Sequence, residues 1–149
     1  MKRKNIILVV AILLLLIISL FIKKADAQAP DLTPYEKYDA AMDIWLNKVV
    51  ELESQGTCDL VNPKDSDGLP AFGSFQYKLS TVISLSKKYN VYPNVTPDTA
   101  YTIAMSCEKS RHLTKTVMQK NPQEFSQWGG RTKRGAGLPP VLADFLPKE

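Results

Sequence analysis

Two glutamates stand one residue apart where an apolar-periodic stretch runs out, Glu51 and Glu53 in Val50-Glu51-Leu52-Glu53-Ser54-Gln55-Gly56. On a helical wheel of about 100° per residue they are not equivalent. Glu53 lies seven residues beyond Leu46, within the stripe of Tyr35, Tyr38, Met42, Trp45, Leu46 and Val49. Glu51 falls roughly opposite, alongside Ile44 and Asn47, where ordinary solvent-facing charge belongs. A carboxyl on an apolar face is expected to titrate high, because desolvation disfavours its charged form. A carboxylic acid still protonated near neutral pH is what general-acid catalysis requires. Further along, Ala71-Phe72-Gly73-Ser74-Phe75-Gln76 brings a glycine, two aromatics and an amide into one short turn. That turn is expected to face Glu53 across a cleft.

The elements that must hold these pieces are mainly helical, with an α+β arrangement as the alternative. Thr33, Pro34 and Glu36 supply a cap, a first-turn proline and a capping-box partner for a first helix, which Gly56 ends. Residues 62–70, Asn-Pro-Lys-Asp-Ser-Asp-Gly-Leu-Pro, form a dense turn region expected to be a solvated loop or small β-hairpin over the cleft. The stretch faintly resembles a calcium loop, but Pro63 occupies the place of the first acidic ligand. A second helix is expected from residue 79 or 80 to 89 around Val82, Ile83 and Leu85. Thr96-Pro97-Asp98 opens a third, with a narrow face of Ala100, Ile103, Ala104 and Cys107, expected to run to residue 118 or 120. A short fourth helix covers residues 122–128, and residues 129–149, rich in Gly and Pro, read as a wrapping loop.

Composition limits what this domain can do. Met1-Lys2-Arg3-Lys4 followed by an apolar run from Ile6 to Ile22 is an export signal rather than part of a fold. The run is just long enough to remain as a membrane anchor, while Ala25-Asp26-Ala27 has the small-x-small form of a cleavage site. Residues 1–24 are therefore a signal peptide or anchor, 25–32 a linker and 33–149 one domain. The domain is exported, membrane-anchored if the leader stays and secreted if it is cut near Ala27. Five of the 19 basic residues and none of the 15 acidic ones lie in residues 1–24, leaving 14 basic against 15 acidic groups and a net charge of −1. The formal +4 belongs to the leader, so no nucleic-acid partner is expected.

Cys58 and Cys107 are the two cysteines. In an exported chain a disulfide is the natural reading, and two separately buried thiols are the alternative. Isolated cysteines without a ligand-spaced partner do not make a metal site, and no cofactor motif is present. His112, the single histidine, reads as an exposed helix residue. Arg131, Lys133 and Arg134 read as a solvated loop, with acidic cell-wall polymers as the functional alternative.

Glu53-Ser54-Gln55-Gly56 resembles the Glu-Ser-x-Gly segment that opens the lysozyme-like lytic transglycosylase family. Ala71-Phe72-Gly73-Ser74-Phe75-Gln76 is similar to that family's second motif, Ala-x-Gly-Leu-Met-Gln, and Thr81 matches the threonine that follows it. The resemblance covers roughly Trp45 to Tyr89. It implies a lysozyme-like helical domain that cleaves peptidoglycan glycan strands at the β-1,4 bond after N-acetylmuramic acid, with Glu53 as general acid and then base. It also implies that Gly73, Phe75 and Gln76 line the glycan cleft and that Ser54 supports Glu53 by hydrogen bonding. This family needs no second carboxylate, whereas a hydrolase would want one about 5–9.5 Å away, with Asp59, Asp65 and Asp67 as candidates. Ser74 stands where the family has leucine and Leu79 where it often has proline; Tyr101 is the nearest counterpart of a later tyrosine. The alternatives are a non-catalytic peptidoglycan-binding module and a structural envelope protein.

Overall fold

Thr33 fastens the start of the longest helix, α1 (Pro34–Ser54), through a capping box. The Thr33 hydroxyl accepts from the Glu36 amide at 3.3 Å, and the Glu36 carboxylate accepts from the Thr33 amide at 2.8 Å. The helix ends where Gln55 and Gly56 turn left-handed, at φ 53° and 82°. The computed structural model describes residues 31–148. The leader and cleavage motif, and all of the linker before residue 31, lie outside them. Among the described residues no helix is long and apolar enough to cross a membrane.

α1 buries Tyr38, Met42, Trp45, Leu46 and Val49 on one face. Each large apolar side chain so buried contributes about 1.5–3 kcal/mol. Tyr35, expected on the same stripe, is 61% exposed in the first turn, with its ring edge-on to Tyr38. α4 (Cys107–Lys120) packs against α1, and α2 (Leu79–Lys88) and α3 (Pro97–Met105) pack on α4 and on each other; together they contribute Val82, Leu85, Ile103, Leu113, Val117 and Met118 to the same core.

The long third helix expected to run to residue 118 or 120 is two helices. Ser106 has an extended backbone (φ −97°, ψ 119°), ends α3 and caps α4 by accepting from the Lys109 amide. A serine side chain that can replace a missing backbone partner is favoured at such a junction. The short fourth helix expected over residues 122–128 is a 3-10 helix, Pro122–Gln127. The tail after it departs from a plain loop: Gly130–Ala136 form α5, and Leu142–Phe145 make a second 3-10 turn.

The only strands among the described residues form a small antiparallel hairpin, β1 (Val61–Asn62) and β2 (Ala71–Phe72). Val61 pairs with Phe72 and Asn62 with Ala71. Phe72 also exchanges both backbone hydrogen bonds with Tyr77, at 2.9 Å each, which folds the turn after β2 back on itself. The architecture is mainly helical.

Candidate functional site

Glu53 sits in the last turn of α1 and is half-buried, whereas Glu51 is exposed. The carboxylate oxygen Oε1 of Glu53 accepts a hydrogen bond from the Thr132 hydroxyl of α5, and Thr132 itself is only 3% exposed. α5 reaches this position because it docks along α1. The Trp45 indole donates to the Gly137 carbonyl at 3.0 Å, beyond the end of α5. Gly135 lies against Leu52 so closely that a β-carbon on it would stand 2.6 Å from Leu52 Cδ1.

Ser54 does not supply the support expected of it. It is buried, and its hydroxyl donates to the Val50 carbonyl one turn back, at 3.0 Å. A serine inside a helix readily spends its proton this way. Thr132 takes the supporting place instead. Nothing local to Glu53 marks that residue in the sequence, because 79 positions separate them.

The second motif is a backbone-shaping turn. Gly73 has φ 74°, donates from its amide to the Leu60 carbonyl at 2.8 Å, and abuts the Ala104 carbonyl of α3. Gln76, also left-handed at φ 50°, donates its side-chain amide to the Gly73 carbonyl at 2.8 Å and the Leu60 carbonyl at 3.3 Å. Phe75 is 1% exposed and packs with Tyr77 and Trp128, while the Trp128 indole donates to its carbonyl at 3.0 Å. Its ring is therefore core, which corrects the expectation that it lines a glycan-contacting surface. Tyr101 is 44% exposed, with its ring edge-on to Phe72 at 5.5 Å.

Ser74, the departure from leucine, has a physical compensation. It is fully buried, and its hydroxyl shares a 3.2 Å hydrogen bond with that of Ser110 on α4, which is buried as well. A buried hydroxyl is tolerated when it is paired. Next to this contact Cys58 and Cys107 form a disulfide, with Cα atoms 5.1 Å apart, which ties the loop after α1 to the first residue of α4.

The neighbouring acids serve the scaffold. Lys78, which precedes α2, bonds Asp65 at 3.0 Å, Asp67 at 2.9 Å and the Leu69 carbonyl at 2.8 Å, closing the loop between the strands. Hydrogen bonds from Lys78 and from loop backbone hold both carboxyls below the usual aspartate range. Asp59 is exposed.

One cluster had no place in the sequence reading. Arg111 and Lys115 of α4 clasp α1. Arg111 donates to Asn47 at 2.8 Å and to Asp43 at 2.9 Å, and Lys115 reaches Asp39 at 2.8 Å and Asp43 at 3.1 Å. Desolvation opposes ionisation of Asp43, but hydrogen bonds from Arg111 and Lys115 outweigh it and hold its carboxyl low. The i, i+4 spacing of Asp39 with Asp43, and of Arg111 with Lys115, was the available signal. His112, one residue on from Arg111, is exposed and edge-on to Tyr92 at 6.0 Å. Compared with family models, with curated proteins and with solved structures, the chain shows no significant match to any of them.

Proposed function

We propose that this chain is a lysozyme-like lytic transglycosylase or muramidase that cleaves peptidoglycan glycan strands at the β-1,4 bond after N-acetylmuramic acid. The observation that carries the reading is the state of Glu53. Of the two glutamates flanking Leu52 it is the half-buried one, at the end of an apolar helix face, with one oxygen held by the hydroxyl of Thr132.

Protonated Glu53 gives its proton to the glycosidic oxygen as the bond to the anomeric carbon breaks. The carboxylate that remains then accepts the proton of a hydroxyl on the same sugar, whose oxygen closes the anhydro ring. In a muramidase a water takes that hydroxyl's place. Two of the three candidate partner acids, Asp65 and Asp67, are bound to Lys78, which favours the single-carboxyl route. The leader, residues 1–24, supports an exported site of action, either anchored in the membrane or secreted, and no cofactor is required. Gly73 and Gln76 shape the turn of the second motif, and exposed Tyr101 is available to contact glycan.

A second reading, a module that holds peptidoglycan without cutting it, is motivated by the altered second motif, in which buried Ser74 stands where the family has leucine. Digestion of purified peptidoglycan followed by product mass separates the readings. Anhydro-muropeptides formed by the wild type and absent with Glu53→Gln support the transglycosylase, and products heavier by one water support the muramidase. Retention on peptidoglycan without soluble product selects the binding module. Full activity in Glu53→Gln would exclude Glu53 as the acid.

A further inference from the structure

The helix α5 meets α1 at three places in antiparallel order. The Gly137 carbonyl receives the Trp45 indole at 3.0 Å, Gly135 abuts Leu52, and Thr132 bonds Glu53. Trp45, Leu52 and Glu53 span two turns of α1, so the short helix is registered against the end of α1 along its own length. Five of the seven residues of α5, Gly-Arg-Thr-Lys-Arg-Gly-Ala, are charged or glycine. Gly in a helix interior costs about 1 kcal/mol relative to Ala, and the segment has little apolar content of its own. Packing on α1 therefore sustains it, and Thr132 and Ala136 are buried there.

A glutamate has three side-chain torsions, so the groups bonded to its carboxyl decide where that carboxyl points. Thr132 is suited to that task. It is buried, β-branched and so stiff at χ1, and it is carried on an element docked at two other points. Its hydroxyl proton is directed at Glu53 Oε1.

We infer that Thr132 is a positioning residue for Glu53: the docking of α5 on α1 delivers its hydroxyl to the carboxyl and sets the orientation in which Glu53 meets the glycosidic oxygen. This rests on the proposed role of Glu53. Thr132 itself exchanges no proton with the substrate. It holds the group that does.

The test measures kcat and KM on purified peptidoglycan for the wild type, Thr132→Val, Thr132→Ala and Thr132→Ser. A misplaced acid loses rate in the chemical step with little change in binding. The expected result is a fall in kcat of about 10- to 100-fold for Thr132→Val with KM near the wild-type value, and recovery to within about threefold in Thr132→Ser. Should Thr132→Val fail to fold, Thr132→Ala removes the same hydroxyl without its branched methyl groups and is read in its place. A wild-type kcat in the folded hydroxyl-less variant, or an equal loss in Thr132→Ser, overturns the inference while leaving the role of Glu53 intact. Absence of any cleavage by the wild type overturns both, and so separates failure of the reading from failure of the inference alone.

Discussion

Gly73 and the carbonyl of Ala104 leave no room between them: a β-carbon on Gly73 would lie 1.7 Å from that oxygen and 2.6 Å from its carbon. The obstacle is backbone on both sides, so rotamer changes cannot relieve it. The turn carrying the second motif is thereby set directly against α3. Glycine is required there twice over, by this contact and by a φ of 74°.

Gly73→Ala should therefore destabilise the fold by about 3 kcal/mol or more, combining left-handed strain with overpacking. Urea unfolding followed by far-UV circular dichroism gives the midpoint. A midpoint equal to that of the wild type would show that the turn can retreat from α3.

The disulfide closes a loop with a sequence separation of 49. On chain-entropy grounds, opening it costs about 4 kcal/mol through the unfolded state. Cys58→Ser/Cys107→Ser should lose stability of that order in denaturant titration, and reductant should have little further effect on the double variant.

Trp128 joins two neighbourhoods. Its indole nitrogen donates to the Phe75 carbonyl, and its rings touch Trp45, Phe75, Tyr77 and Phe125. Trp128→Phe removes the donor and part of the ring volume, and should cost about 2–4 kcal/mol. Thermal unfolding reads the loss as a drop in Tm. A shift under a degree would mean that the aromatic cluster repacks.

The clasp between α1 and α4 predicts an acid limb of stability. The Asp43 carboxyl is held below its unfolded value, so its contribution is fully present above about pH 3.9 and is lost as pH falls through the lower folded value. Because the Asp43 side chain is 42% exposed, solvent and salt weaken the interaction, to about 1 kcal/mol or less. Asp43→Asn should be slightly less stable than the wild type at pH 7, and the two should converge towards pH 2 in unfolding titrations. A constant difference across that range would refute the assignment.

The start of α1 is legible because it is local: Thr33, Pro34 and Glu36 form a capping box within four residues. The opening of α3 is legible for the same reason, since Thr96 and Thr99 cap each other's backbone amides. Glu53 is separable from Glu51 by helical phase alone. The break at Ser106 is hidden because no Gly or Pro marks it and the small apolar face continues into Leu113 and Val117. α5 is hidden for a stronger reason. Its residues have poor helix propensity, and what keeps them helical is α1, more than eighty positions earlier for Trp45 and Gly137. Ser74 and Ser110 are likewise legible only as a pair, 36 positions apart.

The antiparallel seat of α5 also sets an order of events. A chain made from its amino end presents Glu53 long before Thr132, and the hydrogen bond between them closes a span of 79 residues. α1 to α4, which supply most of the core, precede α5, which adds Ala136. A nascent chain can thus assemble most of its core while this contact is still missing, and the contact arrives with one of the last elements to be synthesised. Proteolytic trimming before Gly130 would return the chain to that earlier stage, with the acid in place and its Thr132 partner gone.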